Sequence, residues 1–296
     1  MAAAFDADGI YVRVKRLAVF DVGAAGSACG ASLRHRPSRS MTWRYLVTPP
    51  ATGAENMAVD EALMLRAAAC GEWVLRVYSW SQPTISLGRN QTARDRYDLD
   101  TIREREYGIV RRPTGGRAIL HRREITYSVT APANDAGDLR QSYGRINGLL
   151  VDALHRLGVR VQVAAPRTRA MAPGLTPCFD VPSTGELVVG EHKLAGSAQW
   201  RADGGLLQQG SILIEDDQTE LAALTRTPMR APPPPATLAE ALGRTPSVAE
   251  VATALIDAVR SREDARVSEL CPEADLRART RELVVRYLDD GWTWRR

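Results

Sequence analysis

Cys178 and Lys193 are the two side chains in this sequence whose types and spacing best suit covalent chemistry. Of 39 Lys and Arg residues, only Lys15 and Lys193 are lysines. Arginine keeps its proton and presents a broad planar fork, whereas lysine is a compact, titratable ammonium. A lysine kept in such a background has two readings: a site that needs a small or titratable amine, or a survivor of compositional drift. Its surroundings favour the first. Ala195-Gly196-Ser197-Ala198 follows at once, a small-residue run that lets a ligand approach the backbone. Cys178 follows Pro177 in a stretch that reads as a loop. Residues 186–190 read as a strand and turn leading into a strand at 192–201, so pairing of the two can return Lys193 to the loop that carries Cys178. A thiol beside an ammonium is partly thiolate at neutral pH, and the thiolate is the nucleophile. The pair therefore predicts an acyl-transfer centre.

A second candidate site is Arg111-Arg112-Pro-Thr-Gly115-Gly116-Arg117. Two glycines flanked by arginines expose backbone N–H groups beside guanidinium forks, which suits a phosphate or a carbonyl oxygen. His121, followed by Arg122 and Arg123, is a candidate acid–base group or substrate ligand, against the plainer reading of a structural histidine at a strand end. The loop is not a Walker loop, and no GxGxxG follows a strand.

Positioning these residues requires a sheet. Strands are expected near 42–47, 73–79, 85–88, 109–112, 118–121, 124–130, 160–164, 186–189, 192–201 and 206–214, with residues 118–130 completing a meander. Helices are expected over 53–70, whose Glu55, Asp60 and Glu61 suit the helix dipole, and over 138–157, where Ile146, Leu149, Leu150, Leu154 and Leu157 recur at helical spacing. Without a regular βαβ alternation, the fold class is α+β: a mixed, largely antiparallel sheet flanked by helices. Residues 1–40 read as a disordered extension or as the product of a start placed before Met41. Residues 41–230 form the catalytic domain, the Pro-rich residues 231–236 a stiff linker, and residues 237–296 a small C-terminal helical appendage.

The totals exclude several classes. Composition is ordinary for a globular chain, with 44% hydrophobic and 25% charged residues. A net charge of +4 fits an acidic protein partner and is too dispersed to argue for nucleic acid. Cys29, Cys70, Cys178 and Cys271 are scattered without a CxxC, which argues against zinc and a disulfide framework and for a reducing cytoplasm. No run approaches the roughly 18 apolar residues of a membrane span, and the first 40 residues lack a secretory h-region.

Four separated motifs then carry a resemblance. Residues 111–129, RRPTGGRAILHRREITYSV, resemble the signature of the lipoate and biotin protein ligase superfamily. Residues 178–212, with CFD, ELVV, KLAGSAQ and LQQGSI in order, resemble its octanoyltransferase branch of the LipM type. Asn56-Met-Ala-x-Asp-Glu-Ala62 and Tyr78-x-Trp-x-x-Pro-Thr-x-Ser-x-Gly88 match as well. The resemblance implies a sheet of the biotin synthetase and class II tRNA synthetase type. It implies transfer of octanoyl from octanoyl-acyl carrier protein to a lysine of a lipoyl domain, such as the glycine-cleavage H protein, with no ATP or metal. Cys178 would carry the acyl group as a thioester and Lys193 would lower its pKa. Arg112, Gly115, Gly116, Arg117 and His121 would line the acyl and pantetheine site, with Gly196, Ser197 and Ala198 opposite. Two departures stand out: Gln209 replaces a histidine that relatives often carry, and Arg122 follows His121 where many have aspartate. The rivals are an ATP-dependent lipoate–protein ligase, whose signature usually has a third glycine and an HD-x-GN run, and a non-catalytic protein that holds an acylated carrier.

Overall fold

The structure is a computed structural model that describes residues 41–164, 185–227 and 233–296, and of the first 40 residues only β1 (Ala4–Phe5) and β2 (Tyr11–Val12), which pair antiparallel. Residues 1–37 form a unit of their own; the expected disorder of the extension lies otherwise outside the described residues, as do Cys178 and the first two residues of the linker.

In chain order, the second unit runs β3 (Thr42–Val47), α1 (Gly53–Cys70), β4 (Glu72–Tyr78), β5 (Thr84–Leu87), α2 (Leu99–Glu104), β6 (Gly108–Arg111), β7 (Ile119–His121), β8 (Glu124–Pro132) and α3 (Leu139–Arg156). It continues with β9 (Gln162–Val163), β10 (Leu187–Val189), β11 (His192–Ala202), β12 (Gly205–Leu213), a 3-10 turn (Gln218–Leu224), α4 (Leu238–Leu242), α5 (Val248–Arg262), β13 (Ser268–Glu269), α6 (Ala274–Leu288) and α7 (Asp290–Thr293). The main sheet has the order β13-β3-β4-β8-β12-β11-β10-β9. Its β13–β3 and β3–β4 pairs are parallel and the rest antiparallel, which is the mixed, largely antiparallel α+β sheet expected.

Alternation divides each strand between two faces. Trp73, Leu75 and Val77 of β4 and Ile125, Val129 and Ala131 of β8 pack with Ile146, Leu150 and Leu154 of α3 and Leu255 and Val259 of α5. The opposite face lies under α1, and α6 packs outside α1. Capping boxes fix three helix starts: Thr52 with Glu55, Asp138 with Gln141, and Ser247 with Glu250. Among them only Glu55 answers to the dipole reading. Asp60 and Glu61 are instead buried and bonded to side chains brought from elsewhere in the chain.

The expected meander through residues 118–130 is not formed. β5, β6 and β7 make a separate three-stranded sheet of order β6-β5-β7. The outer edge of β7 is met by a side chain: the Gln218 amide accepts from Leu120 N (3.2 Å) and donates to Leu120 O (2.7 Å). Asp217 accepts from Arg123 N (2.9 Å), holding the turn at which the chain crosses into the main sheet. The C-terminal helices integrate with the sheet. β13 extends its edge beside β3, and Arg111 Nε donates to Thr293 O (2.7 Å) while Trp292 Nε1 donates to Arg111 O (2.8 Å).

Candidate active site

Opposed residues of an antiparallel pair share a face. Gly196 opposes Ser211, Ala198 opposes Gln209 and Trp200 opposes Leu207, so these residues line the α1 face of β11 and β12. Lys193 joins them through a bulge. Leu187 pairs with Ala195 but Val188 pairs with Lys193, so Leu194 is an inserted residue and Lys193 shares the face of Gly196 instead of that of Ala195. A Cβ at Gly196 would come 2.7 Å from Lys193 Cε and 2.8 Å from Nζ. The missing side chain is the space that the ammonium occupies. Lys193 is 2% exposed, and Nζ donates to Glu186 Oε1 at 2.6 Å.

The loop of Gly115 and Gly116 is tied down onto the same face. Thr114 Oγ1 donates to Gln209 Oε1 (2.8 Å), and Gln209 Nε2 donates to Asp60 Oδ2 (2.7 Å). Asp60 also accepts from Tyr78 OH (2.7 Å), Ser128 Oγ (2.7 Å) and Arg76 Nη1 (2.8 Å). The Gln209 amide thus joins loop to helix by donating on one side and accepting on the other. Arg112 sets the loop's shape from within. Its guanidinium donates to the carbonyls of Gly115 (2.7 and 3.1 Å), Arg117 (2.7 Å) and Ser86 (2.8 Å). Gly116 has φ +93°, and a Cβ on Gly88 would lie 1.9 Å from Gly116 O; only glycine permits that approach. Gly115 faces open space, since a Cβ there would meet nothing within 4 Å.

His121 lies behind the loop, 5% exposed and stacked on Trp80 at 4.0 Å. Its Nε2 is 2.7 Å from Ser86 Oγ, and its Nδ1 is 3.2 Å from Glu124 Oε1, an ion-pair distance without the alignment of a hydrogen bond. Burial pushes the imidazole below its ordinary value, with the Glu124 carboxylate opposing. The hydroxyl–imidazole–carboxylate order is that of a nucleophilic relay, yet Ser86 is wholly buried and also accepts from Arg112 Nη1 (3.0 Å). The array braces Arg112 from behind.

Of the residues expected at the site, Lys193, Gly196 and Ala198 share one face with Gln209, where Thr114 fastens the loop of Gly115, Gly116 and Arg117. Ser197 lies on the other face, with Oγ 2.7 Å from Tyr127 OH. Glu186 and Thr114 carry no role in the sequence reading, and Asp60 enters it only as a helix-dipole carboxylate. Glu186 could have been found by counting outward from the Gly190–Glu191 turn, which sets Val188 opposite Lys193 and Glu186 two residues further along the same face. Among the described residues no group of three or more His, Cys, Asp or Glu side chains is placed to hold a metal, and no helix is long and apolar enough to cross a membrane.

The family described as the lipoyl protein ligase A/B catalytic domain matches residues 52–260. The chain is similar to the octanoyltransferase LipM of Kyrpidia tusciae, 39% identical over 273 residues that cover 86% of this chain and 99% of that protein. It is also similar to the crystal structure of lipoate-protein ligase A bound with ATP, at 22% identity and a TM-score of 0.73, covering 86% of this chain and 99% of that one. A bi-partite lipoate protein ligase from Thermoplasma acidophilum is similar at 23% identity and a TM-score of 0.68, covering 86% and 96%. At such identities the two structures establish the fold alone.

Proposed function

The chain belongs to the lipoyl protein ligase A/B catalytic domain family, and we propose that within it the protein is an acyltransferase that moves octanoyl from octanoyl-acyl carrier protein to a lysine of a lipoyl domain, such as the glycine-cleavage H protein. The Cys178 thiolate attacks the donor's thioester carbonyl. A C–S bond to Cys178 forms, the C–S bond to the carrier breaks, and the carrier thiolate takes a proton. The acceptor lysine's amine then attacks the enzyme thioester, forms the amide, loses a proton and returns the Cys178 thiolate. Lys193 supplies the compact positive charge for thiolate and oxyanion and the proton for the leaving thiol. Arg112 shapes the loop of Gly115, Gly116 and Arg117 against which the acyl arm lies, with Gly196 and Ala198 beneath it.

The observation that carries this reading is the seating of the one described lysine on the bare face of Gly196, within a chain similar to octanoyltransferase LipM over nearly its whole length. The test is mass spectrometry after mixing the protein with octanoyl-acyl carrier protein in the absence of ATP and magnesium. An octanoyl adduct on Cys178, lost on adding a lipoyl domain and absent from Cys178→Ala, is the expected result. Strict dependence on ATP with free octanoate or lipoate would move the protein to the ligases.

A further inference from the structure

Among the described residues is a cluster of arginines that outnumbers the acids around it. Arg89, Arg94, Arg96, Arg226, Arg295 and Arg296 come from three segments that are bonded together. Arg295 Nη2 donates to Arg89 O (2.6 Å), Arg94 N to Arg296 O (3.1 Å), and Arg226 N to Arg96 O (3.0 Å). Among the described residues none of the six guanidinium groups is ion-paired with a carboxylate, although that of neighbouring Arg286 is, with Glu61. Burial and then the charges of Arg89, Arg296 and Arg286 pull the Arg295 pKa down. Burial and then Arg295 and Arg296 take Arg111, beneath the cluster, to about 10. Asp95, Asp98 and Asp290 are the acids beside it: Asp290 accepts from Trp294 Nε1 (3.1 Å), and hydrogen bonds from Thr101, with the Arg226 charge adding to them, hold Asp98 below its ordinary value. The positive charge is thus concentrated, mutually repelling and in excess.

Its place gives it a use. The Arg89 guanidinium lies 4.8 Å over the Trp200 ring, on the site face of β11, and the preceding Gly88 touches the carbonyl of Gly116. Arg295 is stacked on Trp292 at 3.9 Å, which fixes its head group before any partner arrives. Beside them Tyr97, Leu99 and Trp294 floor an open groove of about 450 Å³ with Arg94 and Arg226 on its rim. An apolar floor with a cationic rim, running up to the loop of the proposed acyl site, suits an anionic protein surface that must present a tethered group there.

We propose that this arginine face is the docking surface for the acidic carrier domain that delivers the acyl group. The proposal rests on the transferase reading above. The acceptor is the poorer fit, because its reacting group is a lysine, a cation that the cluster repels, whereas an acyl carrier adds the phosphate of its prosthetic arm to its acidic surface. Such a face steers encounter, so its effect is on association and is screened by salt.

The test compares two donors, octanoyl-carrier protein and octanoyl-pantetheine, in wild type and in the Arg94→Glu/Arg96→Glu variant, whose substitutions lie on exposed side chains. At low ionic strength kcat/KM with the carrier donor should fall about tenfold or more, while octanoyl-pantetheine stays within about twofold, which also shows that the variant folds. Added salt should depress the wild-type rate with the carrier and barely change that of the variant. Equal losses with both donors, no loss with either, or a rise confined to the acceptor's KM would overturn the proposal. A second arm titrates fluorescent holo-carrier protein into both forms without turnover. Weaker binding by the variant is expected. Equal binding by both, or wild-type binding of a DNA duplex as tight as that of the carrier, would overturn the docking face. If wild type transfers octanoyl from neither donor, the proposed function fails and the binding arm still decides the surface.

Discussion

Two buried ion pairs lie on the same side of the main sheet and are built for opposite ends. Arg76 and Asp60 have side chains 1% and 0% exposed, at 2.8 Å. The Arg76 fork also reaches Thr48 Oγ1 (3.0 and 3.2 Å), Asn56 O (3.0 Å) and Asn56 Oδ1 (2.7 Å). It is a permanently charged planar group whose donors are matched to fixed acceptors. Lys193 and Glu186 have side chains 1% and 12% exposed, at 2.6 Å, on a bulged strand near the sheet's edge. The first pair locks helix α1 to strand β4. The second, on the proposed function, places a compact ammonium where a substrate arrives. In a chain so poor in lysine, the choice of residue then separates the charge that holds the fold from the charge proposed to act.

The largest effect should come from breaking the first pair. Asp60→Ala leaves a buried guanidinium uncompensated and takes an acceptor from Tyr78, Ser128 and Gln209, which should cost about 3–5 kcal/mol. Urea unfolding reads this directly, and a loss below about 1 kcal/mol, the scale of a surface pair, would remove the distinction drawn here. Lys193→Arg preserves charge but not size or titration, so the transfer rate should fall about a hundredfold or more with little change in unfolding midpoint. Near-normal turnover would show that charge alone suffices. Iodoacetamide labelling of Cys178 near neutral pH should be slower in Lys193→Ala than in wild type, and equal rates at every pH would dissolve the proposed Cys178–Lys193 pair.

A third buried carboxylate sharpens the comparison because, among the described residues, no cation is paired with it. Asp217 is 2% exposed, and burial pushes its pKa up to about 6 in spite of hydrogen bonds from Arg123 N and Gln218 Nε2. With the folded pKa above the unfolded one, the folded state binds more protons between about pH 4 and 6. The associated stability is fully present below about pH 4 and is lost as pH rises through about 6, a change of order 3 kcal/mol. Thermal melts across that window should show the slope in wild type and a flatter one in Asp217→Asn. The smallest effect is Gly196→Ala. The added methyl meets the flexible end of Lys193, so the ammonium can shift a few tenths of an ångström and the fold survives. A roughly tenfold slower transfer is expected, since such displacements at a reacting centre cost about 1–2 kcal/mol. An unchanged rate would mean that the seat on Gly196 does not position Lys193.

Much of this was legible in the chain. Helix α1 runs over the residues its pattern marks, and the two-residue turn at Gly190–Glu191 sets the pairing that puts Lys193 beside Val188. The failures have a common cause in long-range partners. Asp60 and Glu61 look like dipole carboxylates until Arg76, Arg286 and Tyr287 are brought against them. β7 looks like part of a meander until Gln218, 98 positions away, occupies its edge. The bulge at Leu194 moves Lys193 to the other face, which no alternation count could supply. Cys178, the proposed nucleophile, was legible from its loop position and its spacing to Lys193, and it lies outside the described residues.

The bond between Arg111 and Thr293 joins residues 182 positions apart, and that separation is also an interval of time. At about 5–20 residues per second, a ribosome makes Thr293 roughly 10–40 s after Arg111. Until then the Arg111 guanidinium lacks one of its carbonyl acceptors, and the strand that leads into the Gly115–Gly116 loop lacks the indole that caps its last carbonyl. The loop at the candidate site is therefore among the last parts of the molecule to acquire its full support, long after its own residues have been synthesised.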